Sequence, residues 1–316
     1  MSEIQLVSGA ISLLGTCTIA CKHCYSESGP KVKASFSTNQ IIEMLSTLKK
    51  HGINQVFLGG GEPFLHDGLE EIVSYMFKEN ILPSISSNGH AIDSDRLAKL
   101  YNAGLRFNLS ISLDGPSEVV NRKIRGANSF YKTLLGLYKM SDFNKILWGI
   151  NYVSCRPNLG HALATANLAS TLGASYFNCI KFTPSGRGEN YLDELQITDD
   201  EYSVEINSLK KCYQNFGDYY DDIYVFDIRK KTQTEKTLAS CAKSYFSDFN
   251  LANPLGISIN HNGDVALAPP NIPLGNIFSS NLNQVLGQLN SEKVQEKYNL
   301  WLLGKWTGIH PAKQNI

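Results

Sequence analysis

The chain has 316 residues, enough for a sizeable core and for either two domains of about 150 residues or one α/β barrel unit of roughly 200–250. Hydrophobic residues make up 42%, aromatics 10% and charged residues 18%, which excludes a disordered or fibrous chain. Lys plus Arg equals Asp plus Glu at 29 each, so overall charge gives no reason to expect a nucleic-acid or membrane partner. Strands are predicted at 10–14, 55–58, 83–86, 106–112, 146–153 and 176–182. Between them, 39–51, 68–78, 94–103, 130–140 and 159–172 carry apolar residues at i, i+3 and i+4, the pattern of helices that cover a sheet with one face. Repeated β-α units imply a parallel sheet with right-handed crossovers: a closed α/β barrel, an open partial barrel or a doubly wound layer. In all three, loops at the carboxyl ends of the strands carry the chemistry. After Gly186-Arg187-Gly188 the alternation stops, and 189–240, with one helix expected at 199–216, reads as a helical connector or cap. Residues 256–267 alternate apolar and polar on both sides of Asn262-Gly263, a hairpin signal because both turn residues tolerate positive φ. A small domain of a hairpin and helices is therefore expected at 241–316.

No run approaches 18 consecutive apolar residues, and Met1-Ser2-Glu3-Ile4-Gln5 lacks the basic flank and apolar core of a signal peptide. The cytoplasm is the expected location. Seven cysteines is an odd count in a chain too large to need staples, so a disulfide framework is not expected. Cys17-x-x-x-Cys21-x-x-Cys24 directly follows the first predicted strand. At no more than about 3.6 Å per residue, these thiols can converge on one small object. A structural zinc closes four ligands from paired Cys/His couples, and no second couple is present. Thiolates also suit iron–sulfur clusters, and three of them on a four-iron cube leave one iron open to an outside ligand.

With this motif the sequence resembles the radical S-adenosylmethionine superfamily. The resemblance implies a partial (β/α)6 TIM-type barrel over residues 1–188, one 4Fe-4S cluster on Cys17, Cys21 and Cys24, and S-adenosyl-L-methionine on the open iron. Gly59-Gly60-Gly61-Glu62-Pro63 looks like the family's GGE motif, with Gly60, Gly61 and Glu62 expected at the methionine amino group. Ser86-Ser87-Asn88-Gly89 and Ser110-Ile-Ser112-Leu-Asp114 resemble the ribose- and carboxylate-binding stretches, which makes Ser87, Asn88 and Ser112 cofactor candidates. Arg125 matches an arginine used on the cofactor carboxylate, and His23 holds the place of an aromatic residue near the adenine. Asn151 is either a further cofactor contact or a strand-end polar residue serving its own loop.

Cys241, the hairpin and Leu274-Gly275-Asn276-Ile277 resemble the SPASM/twitch extension of peptide- and natural-product-modifying members. No cysteine follows Cys241, so the resemblance implies a reduced extension at 241–316 without its auxiliary cluster. The implied activity begins with one electron from an external flavodoxin- or ferredoxin-type reductant, which yields a 5′-deoxyadenosyl radical that takes hydrogen from a peptide or small-molecule substrate. Epimerisation is the preferred outcome, with Cys241 as hydrogen-atom donor. Cys155 is the competing thiol, and a buried hydrophobe or vestigial ligand is the other reading of Cys241. Oxidative cross-linking and a non-catalytic metal-binding module are the alternatives. Arg187 could meet the cofactor, an acidic substrate or a structural carboxylate, while His51, His66, His90, His161, His261 and His310 form no ligand pair and are expected in structural roles.

Overall fold

Strand residues of this chain alternate large aliphatics with small polar side chains, and the alternation decides which face of the sheet is covered. The computed structural model describes residues 4, 6–105, 107–140, 143, 146–219, 223–229, 256–268 and 271–302. In chain order the principal elements are β1 (Ser8–Leu14), α1 (Thr38–Lys50), β2 (Gln55–Gly60), α2 (Leu69–Lys78), β3 (Leu82–Ser87), α3 (Ser94–Asn102), β4 (Asn108–Ser112), α4 (Glu118–Arg125), α5 (Ser129–Met140), β5 (Leu147–Ser154), α6 (Ala162–Thr171) and β6 (Tyr176–Lys181). There follow α7 (Leu192–Leu195), α8 (Asp199–Cys212), β7 (Gln214–Tyr219), β8 (Ile223–Asp227), β9 (Gly256–Ile259), β10 (Asp264–Ala268), β11 (Ile272–Asn276), α9 (Leu282–Gly287) and α10 (Glu292–Leu302).

β1 to β6 lie side by side in sequence order and are all parallel. The sheet is open, as a partial barrel requires. β9, β10 and β11 extend it beyond β1, with β9 parallel to β1, while the antiparallel pair β8 and β7 extends it beyond β6. Ile11, Leu13, Leu58, Ile85, Leu109, Ile111, Ile150 and Phe177 point to the helical layer and are at most 1% exposed. Burying each of these contributes about 1.5–3 kcal/mol. The same strands place Ser84, Ser86, Asn108, Ser110, Ser112, Asn151 and Asn178 on the opposite, concave face. A parallel sheet buried on both faces would instead be apolar throughout.

Local signals set the boundaries. Ser37 and Gln40 form a reciprocal capping box at α1, and Thr198 and Glu201 form another at α8. The helix expected at 199–216 stops at Cys212, and the chain turns into β7 and β8, which the reading of 189–240 as a helical connector had not contained. Of the expected C-terminal unit, the hairpin is present as β9 and β10 and belongs to the main sheet. Cys241 lies outside the described residues. Among the described residues no helix is long and apolar enough to cross a membrane.

Candidate active site

The loop leaving β1 brings Cys17, Cys21 and Cys24 over the carboxyl ends of the parallel strands. Cys21 is buried and the other two are half-buried. Each sulfur has a polar neighbour: Asn88 Nδ2 donates to Cys17 Sγ at 3.3 Å, Arg125 Nη1 to Cys21 Sγ at 3.8 Å, and Ser26 Oγ lies 3.4 Å from Cys24 Sγ. Burial raises the Cys17 thiol and pushes Cys21 up to about 12, against the pull of Arg125. Both therefore hold their protons until a metal displaces them. Among the described residues no three His, Cys, Asp or Glu groups are gathered as closely as one metal ion needs. The donor set, three thiols with hydrogen-bond donors aimed at two of them, fits a larger iron–sulfur cluster.

Behind the thiols stands Asp114, fully buried at the end of β4. Its Oδ2 lies 2.5 Å from Arg125 Nε and 2.6 Å from His23 Nε2, and its Oδ1 accepts the Val153 N–H at 2.8 Å. Burial alone would raise this carboxyl, yet Arg125 and His23 outweigh it and hold Asp114 down to about 2. Arg125 is thereby fixed between a carboxylate and a ligand sulfur. His23, expected beside an adenine, is tied to Asp114 through its Nε2.

Glu62 occupies the matching place under the β2 loop. Its Oε1 accepts from the Ser87 hydroxyl at 2.7 Å and the Phe64 N–H at 3.2 Å, and its Oε2 from the Asn88 N–H at 2.8 Å. Burial pushes it up to about 7 against those three donors. Glu62 and Ser87 thus hold the β2 and β3 loops together. Asn88, expected near a ribose, reaches the Cys17 sulfur and also donates to Thr18 Oγ1 at 3.0 Å. His90 Nε2 faces the Ser129 carbonyl at 3.1 Å, so it carries the proton and His90 Nδ1 accepts from Thr18 at 3.2 Å. Gly61 approaches the cysteine loop closely: its N–H donates to Leu14 O at 2.6 Å, and a Cβ there would come within 1.9 Å of Thr16 O. Gly61→Ala is expected to destabilise the cofactor-free protein by at least about 1–3 kcal/mol. An unchanged urea midpoint would refute that contact.

Arg187, just beyond β6, meets no carboxylate among the described residues. It donates to the carbonyls of Cys21 and Glu27, each at 2.9 Å, and of Ser28 at 2.5 Å, while its own N–H donates to Cys24 O at 2.9 Å. Ser112 and Asn151 are neighbours on the concave face, and Asn178 Nδ2 donates to Asn151 Oδ1 at 2.7 Å. Asn178 had no signal of its own in the sequence, because only the strand register brings it beside Asn151. Cys155, the competing thiol, packs with Ile124, Phe182 and Leu195 and is fully buried.

Residues 11–150, which span the cysteine loop, the Glu62 loop and Arg125, match the family model of the radical SAM superfamily. Residues 11–150 form a radical SAM domain. The chain is 32% identical over 182 residues to mycofactocin maturase MftC of Mycobacterium ulcerans, which covers 58% of this chain and 49% of that one. It is 26% identical over 233 residues to the AdoMet-dependent heme synthase of Oleidesulfovibrio alaskensis, covering 73% and 55%. The chain thus spans about half the length of these curated relatives. Streptococcus suis SuiB bound to S-adenosylmethionine shares the fold, with a TM-score of 0.63 at 14% identity, over 93% of this chain and 68% of that one. So does native anSMEcpe with bound AdoMet and the Cp18Cys peptide, with a TM-score of 0.64 at 15% identity over 98% and 86%. Radical SAM domains work with a 4Fe-4S cluster and S-adenosylmethionine, and the thiols, Asn88 and Arg125 form a donor set suited to them.

Proposed function

We propose that this chain is a radical SAM enzyme that modifies a peptide or natural product. The reading rests on Cys17, Cys21 and Cys24 gathered at the carboxyl ends of the strands, with Asn88 and Arg125 aimed at their sulfurs. When bound, the reduced cluster and S-adenosylmethionine supply a 5′-deoxyadenosyl radical that abstracts hydrogen from unactivated carbon. The protein's part is to hold and orient. Cys17, Cys21 and Cys24 would hold the cluster, Arg125, seated on Asp114, would balance the charge of their thiolates, and Glu62, tied to Ser87 and Asn88, would keep them and the Gly60-Gly61 turn in place for the methionine and ribose. His23 fixes the far side of Asp114, and Ser112 and Asn151 offer hydrogen bonds from the sheet. Similarity to a mycofactocin maturase, and in fold to SuiB bound to its precursor peptide SuiA, favours a peptide substrate.

For the outcome we favour epimerisation with Cys241 as the donor. Cys155 and Cys179 are fully buried and Cys212 is exposed at the end of α8. A Cys241 thiol would give its hydrogen atom to the opposite face of the substrate carbon, and one electron from a flavodoxin- or ferredoxin-type reductant plus one solvent proton would restore it. Reduced, reconstituted protein is expected to cleave S-adenosylmethionine to 5′-deoxyadenosine, and Cys17→Ala to lose both cluster and cleavage. The product should keep its mass in ordinary water and gain one deuteron in deuterated water. A protein that cannot cleave the cofactor refutes the enzyme reading. A product lacking two hydrogens, or free of solvent deuterium, refutes epimerisation in favour of oxidation.

A further inference from the structure

We propose that the concave face of β3 to β6, centred on Asn178 and Ser86, is a substrate floor that takes an uncharged hydrogen-bonding group, a carboxamide or hydroxyl, of a peptide substrate. The inference rests on the radical SAM enzyme reading and adds what that enzyme holds beneath its cofactor. Strand register sets Ser86 beside Ser110 and aligns Ser112, Asn151 and Asn178 in the next row towards the cysteine loop. Ser86 is exposed and Ser110, Ser112, Asn151 and Asn178 are half-buried although they lie on inner strands of the sheet. Phe57, on the same face of β2, is 40% exposed. This side therefore borders a hollow, in contrast to the filled interior of a closed barrel.

The chemistry of the floor is neutral. Among the described residues, β1 to β6 place no Asp, Glu, Lys, Arg or His on this face. Asn178 and Asn151 share a 2.7 Å hydrogen bond, and Asn151 Nδ2 lies 3.4 Å from Ser86 Oγ. Whichever way the two carboxamides are turned, one end of Asn178 and the Ser112 hydroxyl keep hydrogen-bonding capacity towards the hollow. Below them the floor is closed: the Tyr176 hydroxyl donates to Asn108 Oδ1 at 2.6 Å and lies 2.9 Å from Ser110 Oγ. An ammonium or carboxylate set down here would lose its hydration with no opposite charge to meet it. An apolar group would leave the Asn178 end and a hydroxyl unpaired. A group that both donates and accepts satisfies them.

The test uses the reconstituted holoenzyme and capped tripeptides acetyl-Gly-Xaa-Gly-amide with Xaa as Asn, Ser, Leu, Lys or Asp, with affinities read by saturation-transfer NMR titration. The Asn and Ser peptides are expected to bind at least about tenfold tighter than the Lys and Asp peptides, the size of one well-matched hydrogen bond. Asn178→Leu should erase the preference, and the nearly isosteric Asn178→Asp should turn it towards the Lys peptide. Both variants should still cleave S-adenosylmethionine in the absence of peptide. Equal affinities, binding by none of the peptides, or an unaltered preference in Asn178→Leu overturns the proposal. So does loss of peptide-independent cleavage in both variants while the unmutated protein cleaves, which would assign Asn178 to the cofactor. Failure of the unmutated protein to cleave would instead overturn the enzyme reading beneath it.

Discussion

Asp114→Ala is expected to cost the cofactor-free protein about 3–5 kcal/mol, because it strands a buried guanidinium. Asp114 is fully buried and Arg125 is 6% exposed, so water cannot replace the lost partner. The same change frees His23 and the Val153 N–H, two further groups that Asp114 serves. Because Asp114 is held down to about 2 from 3.8, its contribution is complete above the ordinary carboxylate value and is lost as pH falls towards 2. The variant's deficit should therefore shrink in acid. A double variant, Asp114→Asn with Arg125→Met, should recover part of the loss by removing the charge that Asp114→Ala leaves alone. Urea unfolding followed by circular dichroism at pH 7 and pH 3 measures all three. A deficit below about 1 kcal/mol at pH 7 would show that the pair is solvated and not structural.

A different kind of loss is expected from Arg187→Ala. The Arg187 guanidinium ties together the carbonyls of Cys21, Glu27 and Ser28, and so braces the loop on which all three thiols sit. It lies outside the helical core, so the fold should survive its removal while the loop loses its shape. Outer-shell changes of this sort lower metal affinity by about 10–100-fold, and iron and sulfide per chain after anaerobic reconstitution should fall accordingly. Arg187→Lys should not rescue, since one ammonium cannot reproduce a planar fork that reaches three carbonyls. Full iron content in Arg187→Ala, with the spectrum of the unmutated protein, would show that the loop holds itself.

The parallel core was legible because its strands and helices carry their own periodicities and its loops their own motifs. β7 and β8 were not, since 214–227 mixes acids and tyrosines with apolar residues, and pairing of β8 with β6 and of β7 with β8 decides their conformation. The three thiols could be read as a group because they are close in sequence. Asp114 could not, because its partners come from positions 23, 125 and 153, which only the folded sheet brings together. Arg187 was visible as a strand-end arginine, but its carbonyl partners look in sequence like any other backbone. Cys155 shows the opposite failure: a thiol near a strand end looked available, and its side chain is buried against Ile124 and Phe182.

The pairing of β9 with β1 has a consequence for how the chain is made. Strand β1 carries the cysteine loop, and the neighbour on its outer side comes from the far end of the chain. During synthesis, β1 emerges early and waits with one edge unpaired until β9, β10 and β11 have left the ribosome. Such an edge is open to pairing with other nascent chains, and non-local closure of this kind is slow. Fragments that stop before β9 should accordingly aggregate although they contain every cluster ligand. Iron–sulfur assembly on the intact protein then belongs after β9, β10 and β11 have emerged and closed the sheet beside the thiols.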